Sequence, residues 1–238
     1  YGLVGSEMCI RDRLYIDPLS AKILLDGLEN LKNTISYLLL ISLTTEMKFL
    51  LNVREKEYEK IVKFYYENKQ YFPIKAPEEY ELEFEFLLPS LKLAMLLKDW
   101  INEATEDEIL KNYSVTPGEL RNILEIADWI LYSLHELALL KGKMEILKEI
   151  RKLRIRVKYG IKEELLPLIR LEGVGRARAR KLYNHGIKNI EILRKIPYQT
   201  LALIIGPKIA EKVKKQVSEE DLNQKILKEF GFRFEEIL

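Results

Sequence analysis

The run LEGVGRARARKLY, residues 171–183, fixes a local shape before any other part of the chain does. Gly173 and Gly175 flank Val174. Lacking a Cβ, they let the backbone turn tightly and approach another surface closely. The residues that follow favour a helix, so the pattern predicts two helices joined by a tight turn. The first amides of such a helix lack backbone partners, and its dipole is positive at that end, which together attract anions. Arg176, Arg178 and Arg180 surround the turn with cationic donors, and Lys181 lies further along the same helix as a candidate phosphate contact. The arginines among them suit phosphate oxygens. Helical spacing puts Arg176 and Arg180 on one face and turns Arg178 away. Amides plus cations in this arrangement grip a nucleic-acid backbone without reading its bases.

A degenerate copy lies downstream in LIIGPKIAEKV, residues 203–213. Gly206 and Ala210 repeat the spacing of Gly175 and Ala179, while Ile204 stands where the first copy has Gly173. Lys208 and Lys212 lie analogously on the second hairpin, Lys212 at the position of Lys181, but the missing glycine weakens the case for close backbone contact. Two such hairpins facing each other would bury Ile190, Leu193, Leu201 and Ile205. Residues 166–217 hold twelve lysines and arginines against three glutamates and no aspartate, although the whole chain carries only +2. A basic module beside a body that leans acidic over residues 78–145 points to a local polyanion contact.

The 238 residues suffice for one large or two smaller domains, and 47% apolar content supports a real core. Cys9 is the sole cysteine, which rules out a disulfide framework and a cysteine metal site. His135 and His185 are too few for a histidine zinc site. No apolar run reaches the length of a membrane span. A reducing, cytoplasmic setting is the default expectation. Residues 1–13, YGLVGSEMCIRDR, resemble a translated sequencing adapter and are set aside from fold reasoning, with the natural gene expected to extend further upstream.

The body reads as all-α. Apolar residues recur at three- and four-residue steps over 23–31, 35–43, 58–66, 87–101 and 120–140. Thr116, Pro117 and Glu119 compose a strong helix start. Residues 80–86 alternate apolar and glutamate; with no partner strand nearby they are expected to form an extended crossing between helices. Residues 148–159 read as a basic helix. The acidic cluster at 103–108 is expected to complement a helix dipole rather than bind a metal. Trp100 and Tyr113 read as core, and His135 as a packed or surface residue.

Several of these segments, in order, resemble the C-terminal part of the archaeal helicase-308 enzymes, superfamily 2 ATP-dependent DNA helicases of stalled replication forks. They are YIDPLSAKILLDGL, ISLTTEMKFLL, LKDWINEATEDEI, TPGELRNILEIADWILYSL, KYGIKEELLPLIRL and LEGVGRARARKLYNHGIKNIEIL. The resemblance covers about residues 14–217. It implies a helical-bundle ratchet domain over 14–165, a small helix-hairpin-helix DNA-binding domain over 166–217 and a tail over 218–238. It also implies 3′-to-5′ unwinding by motor domains that this sequence does not contain, where ATP and magnesium would act. No P-loop pattern is present, since Gly142-Lys143 is followed by Met144, so this chain is expected neither to hydrolyse ATP nor to need a cofactor.

By the same resemblance, the helix at 117–140 lies along the unwound strand and Trp129 stacks on a base. A partnering arginine is expected two turns earlier, where Asn122 stands with Arg121 beside it. Read from residues alone, Trp129 among Ile126, Ile130 and Leu134 favours a core residue; the resemblance is what favours stacking. The expected partner is single-stranded or forked DNA. A non-catalytic helix-hairpin-helix module of another repair protein, of nuclease or glycosylase class, is the alternative. Absence of an aspartate after the hairpin argues against the glycosylase. The end, 218–238, is expected to be one short helix and a loose tail. Its residues 224–232 loosely match a sliding-clamp-binding box, with Gly231 at an aromatic position.

Overall fold

The computed structural model describes residues 14–48, 50–218 and 224–237. The adapter-like segment at 1–13 lies outside them. Helices dominate and no strand occurs among the described residues. The chain divides into two compact units, the first ending at Lys158 and the second beginning at Tyr159.

Helices α1 (Pro18–Gly27), α2 (Thr34–Ser42), α3 (Thr45–Lys48), α4 (Tyr58–Asn68), α5 (Leu82–Ile101), α6 (Glu106–Tyr113) and α7 (Pro117–Leu140) make up the first unit with most of α8 (Met144–Tyr159). Its centre is α5, packed against α2, α3, α4 and α6. Both α2 and the second half of α5 are apolar nearly all round, which suits only a buried helix.

The structure corrects the expected extended crossing at 80–86, because α5 starts at Leu82. Alternation over seven residues fits either period. The helical one wins because Phe84, Leu87, Leu88 and Leu91 then fall on one stripe that the core buries. Glu83 and Glu85 in the first turn complement the dipole, while Tyr80, Leu82 and Phe86 stay exposed.

Helix α7 begins where its sequence says. The Glu119 amide donates to Thr116 Oγ1 and the Thr116 amide donates to Glu119 Oε2 at 2.8 Å, a reciprocal capping box, with Pro117 at the first helical position. Leu120, Ile123, Ala127, Ile130, Leu131 and Leu134 form its buried stripe. The acidic cluster also behaves as expected: Thr105 and Glu108 cap α6, and Glu106 and Asp107 fill its first turn. Trp100 and Tyr113 are core, the indole N–H donating to the Val157 carbonyl at 2.7 Å and the phenol to Asp99 at 2.6 Å. His135 is buried, and burial holds its pKa below the ordinary value.

One side chain in this unit carries an unusual load. Lys92 on α5 is nearly inaccessible, and its ammonium meets both Glu57 Oε2 and the Asn52 carbonyl at 2.8 Å. Glu57 also accepts from the Arg54 amide at 2.8 Å. This network pins the irregular segment before α4 to the central helix.

The second unit contains α9 (Leu166–Ile169), α10 (Arg176–Asn184), α11 (Ile190–Lys195), α12 (Tyr198–Ile205), α13 (Pro207–Ser218) and α14 (Gln224–Phe230). Helices α9 and α10 form one hairpin, α12 and α13 the other, and α11 connects them. Ile190, Leu193, Leu201 and Ile205 are buried between them, as the sequence predicts. Ala179 and Ala210 are fully buried at equivalent places in the two hairpins. The described residues 224–237 are not a loose tail. Beyond α14, Phe232, Phe234 and Ile237 are buried along with Ile226 and Phe230, and the Arg170 guanidinium lies 4.7 Å from the centre of the Phe234 ring. Three aromatics within five residues supply enough apolar area to hold the segment in place.

Candidate nucleic-acid interface

In the second unit the first hairpin turns at residues 171–175. Gly173 has φ +80°, a conformation that disfavours any side chain, and a Cβ there would come within 3.3 Å of Ile209. Gly175 is extended and is the N-cap of α10, with no side chain capping the helix. A Cβ on Gly175 would meet nothing within 4 Å, so this face of the turn is open to close approach. The Glu172 peptide is clamped on both sides by one amide: its N–H donates to Gln216 Oε1 at 2.8 Å, and Gln216 Nε2 donates to its carbonyl at 3.1 Å. The turn is thereby fixed to α13 of the second hairpin. Gly173→Ala is expected to destabilise the second unit by about 1–2 kcal/mol, the cost of a left-handed alanine, with Ile209 yielding slightly. Thermal unfolding followed by far-ultraviolet circular dichroism reads this, and an unchanged midpoint would remove the turn from the list of constrained positions.

The predicted cations divide into distinct settings. Arg178 and Lys181 are exposed; Arg178 Nη1 donates to the Gly173 carbonyl at 3.0 Å and so braces the turn from outside. Arg180 forms an ion pair with Glu164 at 2.7 Å and lies 5.1 Å from the Tyr183 ring centre. Arg176 is half-buried at the first position of α10. On the second hairpin, Lys208 is exposed at the start of α13, whereas Lys212 pairs with Glu172 at 2.8 Å. That hydrogen bond and charge hold the Glu172 carboxyl below its ordinary pKa. The second helix start differs chemically from the first. Pro207 occupies the position of Arg176 and has no N–H to offer. Gly206, at φ +88°, still makes the turn.

In the first unit, α7 presents Arg121 and Asn122 to solvent. Arg121 Nε contacts Glu125 at 3.0 Å, an exposed pair one turn apart that holds its side chain only weakly. Trp129 is half-buried against the core, and its indole N–H donates to the Leu14 carbonyl at 2.8 Å. Three residues further, Tyr132 is 41% exposed, which sequence reasoning overlooked. The Arg154 guanidinium lies 5.2 Å from its ring centre and is itself bonded to Asp128 at 2.8 and 3.2 Å. The legible signal was the spacing of Arg121, Glu125, Asp128 and Tyr132, which marks one stripe along α7. Pro117, Gly118, Arg121, Glu125, Asp128 and Lys158 line an open cleft beside it.

Among the described residues no group of three or more His, Cys, Asp or Glu side chains could hold a metal ion, and no helix is long and apolar enough to cross a membrane.

Comparison with known proteins decides the family. The archaeal helicase domain 4 profile matches residues 35–160, and the SAM-like helix-hairpin-helix tandem profile matches residues 165–219. The chain belongs to the archaeal Hel308 helicase family. It is 46% identical over 202 residues to the ATP-dependent DNA helicase Hel308 of Methanocaldococcus jannaschii, covering 84% of this chain and 16% of that protein. The Hel308 of Thermococcus kodakarensis is 38% identical over 214 residues, covering 87% of this chain and 19% of that protein. The Hel308 of Caldivirga maquilingensis is 36% identical over 229 residues, 91% of this chain and 30% of that protein. The chain thus spans less than a third of the length of these relatives, over the domain 4 and hairpin portion of the Hel308 family.

Proposed function

We propose that this chain is the DNA-binding C-terminal part of an ATP-dependent 3′-to-5′ DNA helicase that acts in replication-fork repair, and that its two units guide the unwound single strand. The observation that carries the reading is the open Gly175 face at the start of α10, where helix amides and the exposed Arg178 share one end of a hairpin, with the exposed Lys181 further along the same helix. Such an end binds phosphate by geometry and charge together. The hairpin unit grips the backbone of the emerging strand, with Arg176, Arg180, Lys208 and Lys212 adding to the local positive field. The bundle unit guides the strand along α7, where Trp129 stacks on a base and Arg121 and Asn122 contact its neighbours. Single-stranded or forked DNA is the partner, and a reducing cytoplasm the setting. A sliding clamp is the less favoured partner, because Phe230 and Phe232 of the box-like tail are packed inward.

The test is fluorescence anisotropy with a labelled single-stranded oligonucleotide. If the chain neutralises about four phosphates, the slope of log affinity against log salt is about −2.8, and raising salt fourfold weakens binding about 50-fold. Salt-insensitive binding, or no binding at low salt, would sink the reading.

A further inference from the structure

Three backbone carbonyls of the first hairpin converge on one side-chain ammonium. Lys225 Nζ on α14 donates to the carbonyls of Ile169 at 2.5 Å, Val174 at 3.0 Å and Leu171 at 3.3 Å. It also lies 4.7 Å from the centre of the Tyr159 ring. An ammonium has three N–H donors and no acceptor, so three carbonyls match its full capacity. Each bond is charge-assisted. Ile169 ends α9, and Val174 directly precedes Gly175. The charge therefore holds both arms of the turn at once.

Peptide geometry gives this arrangement a consequence on the opposite side of the turn. The Val174–Gly175 peptide is trans, so the Val174 carbonyl and the Gly175 N–H belong to one planar unit and point in opposite directions. With the carbonyl fixed on Lys225, the Gly175 N–H is turned away from it. A cation behind the turn thus orients the Val174–Gly175 peptide, whose N–H end faces away from it.

We infer that Lys225 is a positioning residue for the phosphate grip: its ammonium is an internal cation that sets the hairpin turn and makes α14 part of the DNA-binding module. The phosphate half of this inference rests on the function proposed above. The sequence pattern gives no hint of it, since the residues concerned lie more than fifty positions apart.

Two measurements on the intact chain test it. Nuclear magnetic resonance of the lysine ammonium groups is expected to show the Lys225 protons exchanging far more slowly than those of exposed lysines such as Lys208. Exchange at the exposed rate overturns the inference whether or not DNA binds. In the second, Lys225→Met keeps the stem and removes the charge. Single-strand affinity is expected to fall about tenfold at fixed salt. Part of it should return when potassium, which carbonyl oxygens can coordinate, replaces tetramethylammonium as the salt cation. The unaltered chain should not distinguish the two salts. Full affinity in the variant, or equal weakness in both salts, overturns it. Failure of the unaltered chain to bind any oligonucleotide would instead remove the proposed function, leaving the ammonium exchange to decide the role of Lys225 in the turn.

Discussion

Lys92→Met is expected to destabilise the first unit by about 3–5 kcal/mol, because it strands a buried carboxylate that has lost its partner. The Lys92 and Glu57 side chains are only 4% and 11% exposed, so water cannot replace the missing ammonium. Both tryptophans of the chain, Trp100 and Trp129, lie in this unit, so their fluorescence in urea follows its unfolding alone. Acid makes the test sharper. Burial raises the Glu57 pKa, but the hydrogen bonds from Lys92 and the Arg54 amide, with the charges of both residues, outweigh it and hold the group below its ordinary 4.5. A carboxyl depressed on folding contributes stability that is present above its unfolded pKa and lost as pH falls through the folded value. The unaltered chain therefore loses this contribution below about pH 4.5. In the variant, Glu57 keeps only Arg54 as counter-charge and amide donor, so protonating it costs far less than in the unaltered chain. The gap between the two proteins should be widest near neutrality and narrow in acid. The double variant Lys92→Met with Glu57→Gln should recover part of the loss. A gap below about 1 kcal/mol at neutral pH would show that water or a neighbouring cation reaches Glu57.

Trp129→Ala is expected to have two separable effects. Removing a half-buried indole should cost the first unit about 3 kcal/mol, the low end for an aromatic truncation. If the side chain also stacks on a base, single-strand affinity should fall by a further 1–3 kcal/mol or about that, with a smaller loss on duplex. Trp129→Phe separates the roles. It keeps a stacking ring and most of the packing, and forfeits the hydrogen bond to the Leu14 carbonyl, about 1 kcal/mol. Urea unfolding read through Trp100, with anisotropy at matched salt, measures both. Equal loss on single strand and duplex in the alanine variant would assign Trp129 to packing alone and direct attention to Tyr132, the exposed aromatic three residues on.

Much of this protein is legible in its sequence because the signals are local. Thr116, Pro117 and Glu119 announce α7, and each acts within one turn of the others. The glycines of the first hairpin, the buried alanines Ala179 and Ala210, and the residues between the hairpins follow from spacing within a few dozen positions. Residues 80–86 mark where such reading stops. Their alternation is too short to separate two periods, and only the core that receives Phe84, Leu87 and Leu88 selects the helix.

The candidate site shows the same division. The sequence by itself determined that the chain is all-α, that a basic helical hairpin follows a long capped helix, and which residues could meet phosphate, since helix periodicity, capping and turn chemistry are set by near neighbours. Only the tertiary structure decided which cations are already engaged, with Arg180 on Glu164 and Lys212 on Glu172, and which remain at the surface. It alone joined Gln216 to the Glu172 peptide, Lys92 to Glu57, and Lys225 to the hairpin carbonyls. A buried charge or carbonyl must find a partner wherever the chain happens to bring one. That partner is chosen by the packing of distant segments, for which one sequence carries no periodic trace.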